Sequence, residues 1–548
     1  MNEMNSKAKP KVIILGAGPN GLTAASYLSQ AGCDVVVVEK NVETGGGLVT
    51  QELSGFKMNY HANYMMLAEQ MPPYNDLNLR EKGVSFIRPD EQVSFLFDNK
   101  KSLTFYTDIA KTVESVKRIS EKDATIVGKL LNDCREMCDA FLIPATYLPP
   151  LETIEQVEFL NLSDELGKRI AELGDLTPYE FLDSYKISDT RVRGALLYLN
   201  SMFGLEYDEG GMAFLTPIYI YRLTQSALIK GGSHQLSSAL RRVVEDSGGS
   251  VIVNNAAVKL LFKDDKVCGV KLSDSSEIFG DVVISTLNPE QNFIQLMDAA
   301  ETLKQVAENW QWETWSLFVS NIGIVGEAPK YEGYPQEVSR SLIVVMGYQS
   351  EEDVKSHIED VRSGRNDRIA GHGTVPSIFD PLLVPDHVKL GSHHVLRWEC
   401  FAPYNTQWDM ESESFGKRCF EFWSEYAPNI KDSNIRVWVN WSPLDIERHI
   451  PAMKKGSIKH GAYTTLQMAY NRPSPECSSY RTPIKGFYVG GSSVHPGGMV
   501  ILGAGYNVAK VVAEDLGLDV FWVWEEPDMI KKARERGYFG KYKWGEDG

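Results

Sequence analysis

Three glycines in the run GAGPNGL, Gly16, Gly18 and Gly21, follow a short apolar stretch and open a helical pattern. Residues of this type at this spacing hold a pyrophosphate. Gly16 permits the tight turn, Gly18 lets backbone approach phosphate oxygens, and Gly21 lets the helix pack closely on the strand. The helix start then offers free N–H groups and a partial positive charge, with Pro19 and Asn20 in the same loop. Glu39 ends the next apolar run, 18 residues beyond Gly21. A carboxylate there can accept hydrogen bonds from both ribose hydroxyls of an adenosine.

That fingerprint serves NAD and FAD alike, and two further segments separate them. Gly45-Gly46-Gly47-Leu48 is a loop where a chain can pass close to a ribityl and a pyrophosphate. At the far end, KGFYVGGSSVHPGGMVILGAG runs as a strand to Gly490-Gly491 and turns at His495-Pro496-Gly497-Gly498. A helix starting at Gly498 to Ile501 would aim N–H groups at the N1/O2 edge of a flavin, stabilising negative charge there on reduction. Both ends together predict one non-covalently held FAD.

The elements that must position these residues are those of a nucleotide-binding α/β fold. Lys11 to Leu15 reads as a buried parallel strand, Asn20 to Ala31 as a helix and Val35 to Val38 as a second strand, a β-α-β unit. Ser85 to Phe105 alternates as strands do, Ile109 to Ser201 is mostly helical, and Gly231-Gly232 opens another helix before a β-meander that returns to a buried strand at Val282–Ser285. The expectation is a Rossmann-type FAD-binding domain of glutathione reductase-like, p-hydroxybenzoate hydroxylase-type topology, with an interleaved α+β substrate domain. The first comprises residues 8–108, 228–298 and 482–518, and the second 109–227 and 299–481. Ligands in such folds sit at the carboxyl ends of the strands, where the insertion can roof them. The tail, 519–548, interleaves aromatics with basic residues and would suit a peripheral membrane contact.

Composition excludes several classes. A formal charge of −17 repels phosphate backbones, so no nucleic-acid partner is expected. Seven scattered cysteines suggest reduced thiols and a cytoplasmic setting, with Cys134 and Cys138 as small core residues. No window is long and apolar enough to span a membrane. His372 and His393-His394 show no metal-ligand spacing, so no metal is expected.

With both ends placed, the chain resembles the phytoene desaturase-like flavoproteins, which include carotenoid desaturases, carotene isomerases and retinol saturases within the amine-oxidase-type superfamily. The segments that carry the resemblance are GAGPNGL, SGFKMNYHAN (54–63), TDIAKTVESVKRISEKDA (107–124), ALIKGGSHQLSSAL and RTPIKGFYVGGSSVHPGGMV. It implies that Gly16, Gly18, Pro19, Asn20, Gly21, Glu39 and Lys40 surround the pyrophosphate and adenosine. Gly46, Gly47 and Leu48 would approach the ribityl, and Val258 would meet the adenine through its backbone. Gly491, His495, Gly498, Met499 and Val500 would lie along the flavin. The chain departs from the pattern at Gly47, where relatives often carry Arg, at Asn59, where they often carry Asp, and at Met499, where the turn is usually glycine.

A flavin oxidises a C–C or C–N bond by taking a hydride at N5. An unactivated substrate C–H needs a shaped apolar site and few acid/base groups, because positioning supplies most of the rate. Residues 140–150, 211–223 and 309–319 could line such a tunnel, although ordinary core is the plainer reading of each. Candidate catalytic residues are His495, pinned to the flavin by motif or bonding its own turn, and His61 and Glu399. Three functions stay open: desaturation or saturation of an isoprenoid or alicyclic hydrocarbon, amine oxidation of a small polar substrate, or a non-redox use of reduced flavin such as cis–trans isomerisation. With one complete dinucleotide fingerprint, the electron acceptor would be a quinone, oxygen or a protein. A homo-oligomer is compatible with all three.

Overall fold

The computed structural model describes residues 9–518 and 528–535. The tail 519–548, expected to suit a membrane contact, therefore lies largely outside the described residues. A five-stranded parallel sheet carries the nucleotide half, in the order Ser250–Ile252, Asp34–Val38, Lys11–Leu15, Val282–Ser285, Phe487–Val489. Val12 to Ile14 are fully buried and Leu15 is nearly so. A strand covered by helices on both faces needs such an unbroken apolar run. Three segments far apart in sequence thus end at one sheet edge, which brings the first and last glycine loops together.

The helix Pro19–Gln30 packs between His234–Asp246 and Gly503–Asp515. Gly505 and Asn20 mark the closest approach of the two glycine-led helices. A Cβ on Gly505 would lie 2.1 Å from the Asn20 carbonyl oxygen, and the Gly505 N–H donates to Asn20 Oδ1 at 3.2 Å. The helix that follows the glycine turn begins at Gly503, not at 498–501 as expected. Met499, Val500 and Leu502 all have positive φ, at 75°, 51° and 61°. Left-handed backbone cannot start an α-helix, and non-glycine residues hold it at a cost of about 1–3 kcal/mol each. Residues 498–502 are instead an irregular turn.

The second half is built on a seven-stranded sheet in the order Ile435–Trp441, Trp315–Val325, His393–Pro403, Gly371–Thr374, Ile343–Met346, Glu91–Leu96, Ser102–Tyr106. The hairpin 91–106, expected with the nucleotide half, belongs to this sheet. Glu91–Leu96 pairs in parallel with Ile343–Met346, and Ser94 Oγ lies 2.7 Å from Ser341 Oγ. Alternation identifies a strand but says nothing about a partner some 250 residues away. A helical layer from Ile109 to Leu223 covers the sheet, its helices capped by Asp108, Ser120, Thr177 and Asp189. Cys134 and Cys138 are buried in it. Among the described residues no helix is long and apolar enough to cross a membrane, and no cluster of His, Cys, Asp and Glu could hold a metal ion.

Candidate functional site

A cleft with about 880 Å³ of open space runs along the carboxyl ends of the parallel strands. The first forty-seven residues contribute Gly16, Gly18, Pro19, Asn20, Glu39, Lys40, Gly46 and Gly47 to it, and the last sixty contribute Gly491, Met499 and Val500. Glu39 is held in a fixed pose: Oε2 accepts from the Ala17 N–H at 2.8 Å and Oε1 from the Asn41 N–H at 2.9 Å. Each oxygen keeps lone-pair capacity for a ribose hydroxyl.

The glycines show how the cleft suits a long dinucleotide. A Cβ on Gly18 would meet nothing within 4 Å, so that position faces open space. Gly46, at φ 54°, brings its own backbone against Gly18; a Cβ there would sit 3.1 Å from Gly18 Cα. Two bare backbones thus face a groove floored by the start of the Pro19–Gln30 helix, and the fixed Glu39 carboxylate lines the same groove. The residues fit FAD.

Five of the expected cofactor residues do not line this cleft. Gly21 is a packing glycine: a Cβ would strike the Gly16 carbonyl oxygen at 2.0 Å. Leu48 is fully buried beneath its loop. Gly498 presses on residues 458–459, and its N–H donates to Tyr463 Oη at 2.9 Å. Val258 lies in the antiparallel strand Ala257–Lys263 with its side chain 44% exposed. A surface meander brings it out to solvent.

The fifth, His495, sits across the turn from the cleft. Its Nε2 lies 3.1 Å from the Ala145 carbonyl oxygen, and it faces a separate chamber of about 1090 Å³ among the helices, with Phe141, Leu142, Leu215 and Pro496. Burial lowers its pKa to about 4, so the ring is neutral. This corrects its expected place along the flavin; the motif located the turn but not which side of it the ring takes.

A second chamber, with about 750 Å³ of open space, adjoins the cleft and shares Gly47, Met453, Ile458, Met499 and Val500 with it. Ala62, Met66, Phe203, Leu317 and Val319 give it apolar walls, and Tyr60, Tyr64, His61, Arg397 and Glu399 supply its polar groups. Of the three stretches read as tunnel lining, 309–319 contributes here, whereas 140–150 and 211–223 line the chamber beyond His495. His61 stands at the seam, with Nε2 2.9 Å from His449 Nδ1 and its ring edge-on to Trp441. Burial, then His449 and Arg397, push its pKa down to about 3. It is a neutral imidazole there.

Glu399 and Arg397 lie two apart on the strand His393–Pro403, so both side chains leave the same face. Arg397 Nε donates to Glu399 Oε1, Nη1 to the Asn59 carbonyl and Nη2 to the His61 carbonyl at 2.6 Å. One buried guanidinium therefore ties the segment 59–61 to the sheet and orients Glu399. Asn59, where Asp was the expectation, accepts from Thr50 Oγ1 at 2.6 Å and donates to Asn63 Oδ1 at 3.1 Å, a donation a carboxylate could not make.

Sequence reasoning missed the far wall of the cleft: Asn41, Thr286, Leu287, Gln291, residues 449–453, Ile458, His460 and Ser492. Thr286 follows the strand Val282–Ser285 at its carboxyl end, where the strand-end rule would have found it. The stretch 449–460 carries no motif.

A model of the NAD(P)-binding Rossmann-like domain matches residues 14–77. Phytoene desaturase (neurosporene-forming) of Rhodobacter capsulatus is 22% identical, over 93% of this chain and 95% of that one. A limonene dehydrogenase subunit of Castellaniella defragrans is 37% identical over 543 residues, 96% of this chain and 98% of that protein. The chain belongs to the phytoene desaturase-like family of FAD-dependent oxidoreductases. A solved oxidoreductase from Methanosarcina mazei has the same fold, with a TM-score of 0.58 at 17% identity over 92% of this chain and 99% of that one. In this member of the family the cleft at the strand ends and the apolar chamber share one wall.

Proposed function

We propose that this chain holds FAD along the cleft and oxidises an alicyclic or isoprenoid hydrocarbon bound in the adjoining chamber. Bound FAD supplies a two-electron acceptor that takes hydride from carbon. The observation that carries the reading is the shared wall: Gly47, Met453, Ile458, Met499 and Val500 border both spaces, so a substrate in the chamber meets the cofactor without crossing protein. In this reading Gly16, Gly18, Pro19, Asn20 and Gly46 receive the pyrophosphate, Glu39 and Lys40 the adenosine ribose, and Gly491, Met499 and Val500 the flavin end. Ala62, Met66, Phe203, Leu317 and Val319 exclude water and press the substrate toward that wall, which is how an apolar molecule without functional groups can be oriented.

The nucleotide-holding unit is then 8–108, 228–298 and 482–518, with the hairpin 91–106 lent to the neighbouring sheet, and the substrate unit is 109–227 and 299–481. A quinone or oxygen re-oxidises the flavin. The bacterial relative is named as one part of a larger enzyme, which supports assembly of this chain with a second polypeptide or copy. An apolar substrate drawn from lipid favours a cytoplasmic protein that touches the membrane at its periphery.

The test is anaerobic. Mixing the yellow protein with limonene is expected to bleach the flavin band in the visible, and mixing it with a small primary amine to leave the band intact. Bleaching by the amine alone would replace this reading with amine oxidation; turnover only after chemical reduction would replace it with isomerisation.

A further inference from the structure

Glu399 is the only carboxylate that lines the chamber among the described residues. It is 4% exposed, with Oε1 bonded by Arg397 and Oε2 facing His372. Arg397, on its own strand, donates to Oε1. His372, from the neighbouring strand Gly371–Thr374, places Nε2 3.8 Å from Oε2, and its Nδ1 lies 2.9 Å from the Tyr198 hydroxyl. Tyr64, whose ring also lines the chamber, puts its hydroxyl 3.4 Å from the same His372 Nε2. Oε2 has no hydrogen bond among the described residues, unlike Oε1. A carboxylate with one oxygen clamped and the other at the edge of an apolar chamber has a use there.

We propose that Glu399 is the proton acceptor of the oxidation, with Arg397 and His372 as positioning residues that hold its carboxylate against the chamber. This rests on the function proposed above. Removing hydride from a C–H beside a double bond, with bound flavin as the oxidant, leaves the substrate carbon one electron pair short. The charge is discharged when a neighbouring C–H bond breaks: its electron pair forms the new C=C bond and its proton goes to Glu399 Oε2. Such a C–H is very acidic, so a weak base suffices. Arg397 and, less so, His372 hold the Glu399 carboxyl below its ordinary range despite burial, so it is ionised and only weakly basic. His372, lowered to about 4 mainly by burial, is similarly weak and is matched to take the proton onward. The other basic side chain in the chamber that can accept a proton, His61, already has Nε2 engaged with His449.

The test compares wild type with Glu399→Gln and Glu399→Asp. Two quantities are read on the flavin-loaded protein under anaerobic conditions: the limiting rate of flavin bleaching by limonene, and limonene affinity from the concentration dependence of that rate. Glu399→Gln is expected to slow bleaching by about 100-fold or more, the usual scale for losing a general base, while limonene affinity stays within about threefold. Glu399→Asp keeps the charge but withdraws it by one methylene, and is expected to be intermediate in rate with affinity unchanged; it decides the matter if the glutamine variant does not fold. His372→Gln is expected to slow bleaching less than Glu399→Gln does, at unchanged affinity. Bleaching within about threefold of wild type in a folded Glu399 variant overturns the assignment, and so does a loss of affinity that accounts for the whole rate effect. Failure of wild type to bleach with limonene would instead sink the proposed function.

Discussion

Gly18→Val is expected to give a folded protein that carries no flavin. A Cβ there meets no atom within 4 Å and Gly18 has an ordinary φ of −74°, so a branched side chain starts out into open space without backbone strain. The same side chain projects into the groove between the Gly16–Gly21 turn and Gly46, where the cofactor's phosphates must approach the backbone. Unfolding by urea should stay within about 0.5 kcal/mol of wild type, the usual range for a substitution that disturbs no packing, while bound FAD falls below detection. Gly21→Val is the counterpart. Its Cβ would lie 2.0 Å from the Gly16 carbonyl oxygen, so that variant should lose the fold along with the cofactor. Equal flavin content in Gly18→Val and wild type would show that the dinucleotide does not run through this turn.

Acid is expected to destabilise the protein well above the range in which its carboxylates titrate. His357 and His372 are each 1% exposed, and burial pushes their pKa values down to about 3 and about 4. In the unfolded chain both take up a proton near pH 6.5. Below that pH the unfolded state binds more protons than the folded one, so stability is fully present above 6.5 and drains away as pH falls toward the folded values. At pH 5 each costs about 2 kcal/mol, from about 1.4 kcal/mol per pH unit. Buried His61, His460 and His495, also lowered, act with the same sign. Against a typical total of about 5–15 kcal/mol, two histidines alone make this a large effect. Urea midpoints measured at pH 7.5 and pH 5.0 should differ by at least about 4 kcal/mol once converted through the m-value, and His357→Gln should reduce the difference. Paired carboxylates such as Glu351, lowered to about 2 mainly through its hydrogen bonds to Arg193 and Lys355, which outweigh burial, contribute only below about pH 4.5 and cannot mimic it.

What could be read from the sequence follows from how local each signal is. The strands Lys11–Leu15 and Val282–Ser285 fall where their apolar runs put them, because a strand buried on both faces reads as a continuous apolar core. The glycines of the first loop do what their spacing implies, although Gly21 serves packing and only Gly16 and Gly18 reach the cleft. Val258 shows the limit of judging a backbone role from a side chain: its strand shifts register between Ala257 and Lys259 and its side chain faces solvent, while the expected contact with the adenine is through the main chain. His495 shows another, since a turn motif fixes the backbone but not the side of the turn a ring occupies. The left-handed backbone at Met499 and Val500 was hidden because neither residue announces positive φ as glycine does. The strand 91–96 was recognisable as a strand, but its partner depends on long-range pairing that no local pattern encodes. Arg397 was missed for the same reason: its importance comes from the carbonyls of Asn59, Tyr60 and His61 and the Glu399 carboxylate, which meet only in the fold.

The central claim is that the first fifty residues and the last sixty form one binding groove for one FAD. Hydrogen exchange by mass spectrometry on flavin-free protein, with and without added FAD, tests it most directly. Protection should appear together in peptides spanning 16–21, 39–47 and 491–500, and peptides covering the helix Glu351–Arg362, which lines neither space, should not change. Protection of the first set without 491–500, or none at all with Gly16 and Glu39 intact, would contradict the claim.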